Sequence, residues 1–109
     1  MKRTLPVIVL GLLGSAVASF AADGASIWGD NCAKCHGPTG KGDTTIGKKL
    51  KISDLSSADV QAQFTDERAF SAVKDGYTDK DGRMRMKPVE GLSDDDIKAV
   101  VAHLRTLKQ

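Results

Sequence analysis

Aromatic side chains are scarce in this chain: one Trp, one Tyr and three Phe among 109 residues. Cysteine is scarcer still, with Cys32 and Cys35 the only two. No internal repeat, heptad run or low-complexity linker is visible, so neither an array nor a long coiled coil is expected. No apolar run reaches the roughly 20 residues that span a bilayer; the longest, residues 5–18, has fourteen residues and two of them are glycine. The length allows one small domain and no second core.

What the N-terminus does contain is Lys2 and Arg3, then that apolar run, then Ala21 and Ala22 before the first acid, Asp23. Basic, apolar and small-residue segments in this order predict a cleaved secretory signal over 1–21 and a mature domain over 22–109. The cut is expected after Ala21, where Ser19 and Ala21 supply small side chains, with Ala22 as the alternative, and a retained anchor is the competing reading. Sixteen bases face fourteen acids, a net charge of +2, but Lys2 and Arg3 leave with the signal and the mature chain balances at fourteen of each. Export to the periplasm is therefore expected, and the charge gives no reason to expect nucleic acid or stable membrane insertion. With Phe20 also in the signal, about 88 residues are left with few rings. A large apolar cofactor would complete so thin a core.

Four helices and no convincing strand are predicted along the mature chain, an all-α class. The first covers 25–35 and the second 57–63 behind a Ser56 cap. The third starts at a Thr65 cap, with Asp66 and Glu67 in its first turn, and stops at Gly76. The last begins at Ser93, with Asp96 three residues on and Asp94 and Asp95 suiting the positive helix end. Its Ile97, Val100, Val101, Leu104 and Leu107 recur at spacings of three and four, which buries one face. Glycine-rich loops are expected over 37–47 and 76–91.

Both cysteines lie in Cys32-Ala33-Lys34-Cys35-His36, the Cys-x-x-Cys-His pattern of haem c attachment. Positions i and i+3 share a helix face, so each thiol can add to one haem vinyl group, and His36 beside the second anchor can bring its imidazole to the iron. Three other chemistries compete. A redox dithiol wants a preceding strand and a βαβ setting, a disulfide here closes a tiny loop and leaves His36 idle, and zinc wants four ligands where only a distant His103 is left.

These residues and their surroundings resemble the bacterial class I monohaem cytochromes c, over 24–108. Gly24 and Trp28, eight and four residues ahead of Cys32, are similar to the small-plus-aromatic pair with which that family's first helix crosses its last. Cys32 to Gly37, Gly40-Lys41-Gly42 and Gly47-Lys48-Lys49-Leu50 resemble the haem motif and its following loop, and Met86-Lys87-Pro88 up to Ser93 resembles the methionine loop. The resemblance implies a small cytochrome c fold, about four helices around one covalent haem c. It also implies a methionine sulfur opposite His36 as sixth ligand, raising the reduction potential. By that resemblance Met86 is the expected ligand, its spacing to Pro88 and Leu92 matching the family's methionine loop, and Met84, between Arg83 and Arg85, is the alternative.

With both axial positions filled, the expected function is one-electron transfer between redox partner proteins by a monomeric carrier, not enzymatic turnover. A haem subunit docked on a periplasmic dehydrogenase or oxidase, and a haem-based sensor of small ligands, are the alternatives. Trp28 is expected to pack at the helix crossing, with contact to the haem as the other reading. His103 stands where relatives carry tyrosine, and its ring partner is unassigned. Residues 43–47 lack the proline whose carbonyl takes the proximal histidine's second N–H in many relatives; a backbone acceptor is expected all the same. Lys34, Lys41, Lys48, Lys49, Lys51, Arg83, Arg85 and Lys87 crowd the segments that border the haem edge in that family. They would steer an acidic partner or serve only as solvated surface.

Overall fold

The computed structural model describes residues 23–109 together with Thr4 and Pro6. The signal segment and its cleavage site lie outside the described residues. Among the described residues, no helix is long and apolar enough to cross a membrane.

The first helix, α1, spans Gly24–Asn31, with the Asp23 carboxylate accepting the amide of Ala25 at its start. The expected single helix over 25–35 is bent at Cys32, whose φ of −116° separates α1 from α2, Ala33–His36. Helical bonds run on through the bend, from the Cys32 N–H to the Trp28 carbonyl and from the His36 N–H to the Cys32 carbonyl, each at 2.9 Å. The cysteine pair therefore keeps its one-turn spacing.

A third helix, α3 over Thr45–Leu50, lies where the glycines pointed to a loop. The Thr44 hydroxyl caps it by accepting the Gly47 amide at 2.9 Å. A Cβ on Gly47 would collide with the carbonyls of Gly42 and Cys35, so this glycine permits close packing onto the haem motif. The next helix, α4, is short, Ala58–Gln61, and its cap is Ser57, not Ser56. Ser56 is buried, its hydroxyl committed to the Asp54 carboxylate. Helix α5, Asp66–Asp75, starts at Thr65 and stops at Gly76 as its local signals require.

Two short strands follow, β1 at Tyr77–Thr78 and β2 at Met84–Met86, paired antiparallel with an irregular register. Two and three residues are too few to show alternation, so the sequence carried no strand signal here. Helix α6, Asp94–Thr106, opens on a full capping box between Ser93 and Asp96.

The core is small. Its buried apolar side chains among the described residues are Ile27, Trp28 and Cys32 from the N-terminal side, Val73 of α5, and Ile97, Val100, Val101 and Leu104 of α6. Helices α1 and α6 cross where Gly24 has no side chain: a Cβ there would run into the Ala99 carbonyl and come within 3.1 Å of the His103 Cβ. Gln61 ties α4 to α6, its buried amide donating to the carbonyls of Leu55 and Leu104 at 2.8 and 3.0 Å. The fold is helix-dominated, with one small hairpin carrying the methionines.

Candidate functional site

Cys32, Cys35 and His36 come together at α2 because one turn of helix holds them. Both cysteines carry free thiols, Cys32 buried and Cys35 half-buried. Burial, reinforced by the neighbouring Cys35, pushes the Cys32 thiol up to about 11, so it stays uncharged at neutral pH. Desolvation lowers His36 below the ordinary histidine range and keeps its imidazole neutral, the form that offers a lone pair to a metal. Its Nδ1 is buried without any hydrogen-bond partner. Leaving such an atom unpaired costs about 1–3 kcal/mol.

The backbone acceptor expected for that second ring nitrogen is not found, and the carbonyls at the end of the motif take other donors. Cys35 O accepts the Thr44 hydroxyl at 2.8 Å, His36 O the Gly42 amide at 2.7 Å and Gly37 O the Trp28 indole N–H at 2.9 Å. Thr44 and Gly42 were not singled out in the sequence, although a threonine three residues before Gly47 is a recognisable helix cap.

Trp28 packs at the helix crossing as expected. It is buried at the α1–α6 crossing, and its ring lies 5.8 Å from that of His36 and 5.9 Å from that of His103. His103 thus finds its neighbour in the indole.

The two methionines are treated differently by the fold. Met86 packs against the buried cluster that contains Cys32, whereas Met84 is 57% exposed. The basic side chains of both loops are exposed, with Arg85 paired to Asp79.

These residues fit a covalent haem: two thiols one helical turn apart, an imidazole directly after them, and an apolar cluster of few side chains. The rival chemistries lack their settings. Among the described residues the only strands are the two after α5, and no three His, Cys, Asp or Glu side chains converge as a metal-ion cluster. The cytochrome c family profile matches residues 21–108. The chain belongs to the cytochrome c family. Its cofactor is accordingly a covalently bound haem c, with Cys32 and Cys35 of the motif to hold it, and its chemistry is haem-based electron transfer. Among solved structures it is similar to a c-type cytochrome, KustC0563, at 28% identity and a TM-score of 0.67, covering 80% of this chain and 99% of that one. No curated protein sequence matches it.

Proposed function

We propose that this cytochrome c is a diffusible one-electron carrier of the periplasm, not an enzyme, with His36 and Met86 as the two axial ligands of its single haem. The observation that carries this reading is the half-buried imidazole of His36, held on the same helical turn directly after the cysteine pair. Met86 supports it by packing against the cluster to which Cys32 belongs.

The haem supplies an iron that alternates between ferric and ferrous states. The protein's part is to hold that iron with little rearrangement. Cys32 and Cys35 anchor the ring through thioethers, His36 donates a nitrogen lone pair, and the Met86 thioether, a soft donor, favours the reduced state. Two protein ligands leave no place for substrate. Exposed Lys34, Lys41, Lys48, Lys49 and Lys51 would guide acidic redox partners to a monomer. The N-terminal segment would direct export and be removed after Ala21 or Ala22.

Visible spectra of the purified protein, oxidised and reduced, test the reading. A low-spin haem c spectrum with the weak sulfur–iron band toward the red is expected, and acid–acetone should leave the colour on the polypeptide. Colour passing into the solvent refutes covalent attachment, and rapid carbon monoxide binding by the reduced protein at neutral pH turns the carrier into a ligand sensor. Co-purification with a dehydrogenase or oxidase favours a docked subunit.

A further inference from the structure

Three consecutive carbonyls at the end of the haem motif are taken by three different donors. Those of Cys35 and His36 are held from the loop that follows, by Thr44 and Gly42. The third, on Gly37, is held from another element altogether: the Trp28 indole N–H of α1 reaches it at 2.9 Å in a buried setting. Gly37 makes this possible, with φ of 85° and ψ of 158°, a conformation reserved for glycine, and a Cβ there would meet the Asp43 carboxylate at 2.8 Å. The indole ring is tilted 40° to the His36 imidazole. A phenyl ring could supply that packing, but it has no N–H to donate.

A ligating imidazole is ordinarily held in orientation by a hydrogen bond from its other nitrogen. His36 lacks one, since its Nδ1 has no partner. Its ring must then be set by what packs on it and by the backbone on either side. Trp28 acts on both, through ring contact and through the carbonyl of Gly37, the residue that follows His36.

We propose that Trp28 is the positioning residue for His36, fixing the imidazole through the indole ring and the bond to Gly37 O in place of a hydrogen bond to the ring nitrogen. The inference rests on His36 being an axial ligand. The plane of a ligating imidazole governs how unpaired electron density spreads over a ferric haem, so its orientation can be read spectroscopically without any electron-transfer assay.

The test is W28F in the mature holoprotein. Met86 is untouched, so the sulfur–iron band should remain, while the ferric EPR g-values and the spread of the four haem-methyl NMR resonances should move from the wild-type pattern. Trp28 is the single tryptophan of the chain. If W28F fails to mature, a benzothienyl analogue placed there keeps the ring size, replaces N–H by sulfur, and is read in the same way. Unchanged g-values and methyl shifts in a variant that retains the band overturn the positioning role alone. A wild-type protein without a His/Met low-spin signature instead removes the ligation, and the positioning role falls with it.

Discussion

Asp79 and Arg85 meet across the turn between β1 and β2, the aspartate Oδ2 accepting the arginine Nε–H at 2.7 Å. Its Oδ1 accepts the amides of Asp81 and Arg83 at 2.9 and 3.0 Å, and the Asp79 N–H reaches the Arg83 carbonyl at 2.9 Å. One side chain therefore organises the hairpin that presents Met86.

The Arg85 bond, then the Arg83 amide, hold the Asp79 carboxyl below the ordinary carboxylate range. A carboxyl lowered in the fold contributes stability above its unfolded value and loses it as pH falls through the lowered one. Asp79→Asn should weaken the sulfur–iron band at neutral pH, tighten imidazole binding to the ferric protein and move the acid loss of the band to higher pH. Identical titrations for the two proteins would free Met86 of any dependence on this turn.

Replacing Met86 with alanine should abolish the sulfur–iron band, lower the reduction potential and open the iron to added ligands, while Met84→Ala changes little. The reverse outcome moves the ligand to Met84. A band that survives in the double variant would mean that neither methionine binds iron.

Gly24→Ala places a methyl against the Ala99 carbonyl at the α1–α6 crossing. Overpacking of this kind costs about 1–3 kcal/mol, and each kcal/mol lowers Tm by roughly 4–8 °C in a domain of this size. Thermal unfolding followed by circular dichroism checks it; an unaltered Tm would show that the crossing has slack.

Arg105 grips the α4–α5 junction, donating to the carbonyls of Gln61 and Phe64 at 2.7 and 2.8 Å, with its guanidinium 4.5 Å above the Phe64 ring. It also pairs with Asp66, whose side chain is 65% exposed. Arg105→Lys loses the fork and should cost about 1–3 kcal/mol, whereas Asp66→Asn should cost under about 1 kcal/mol. Denaturant midpoints decide, and equal losses would contradict the assignment of the stabilisation to the backbone contacts.

Electron-transfer rates with a physiological partner should fall as salt rises, because the exposed lysines around α2 and α3 act over about a Debye length. Rates independent of ionic strength would leave these lysines as solvated surface.

What could be read from the sequence is what short-range bonding fixes. The Ser93–Asp96 capping box, the Thr65 cap and Gly76 stop, and the apolar stripe of α6 all operate within a turn or two of chain, so spacing alone specifies them. The same holds for Cys32, Cys35 and His36, whose shared turn follows from i, i+3 geometry. Tertiary structure decided the rest. Gly47 marks close packing against the haem motif and not a loop, because carbonyls brought near by folding leave no room for a Cβ. Ser57 became the cap of α4 once Ser56 was drawn to Asp54. The carbonyl of Gly37 went to Trp28, nine residues away, and not to His36. Met84 and Met86, which the sequence could rank only by spacing to Pro88 and Leu92, differ in burial because the hairpin turns Met86 against the core and leaves Met84 in solvent. Such contacts depend on which surfaces meet after the helices pack, and residue spacing along the chain does not record that.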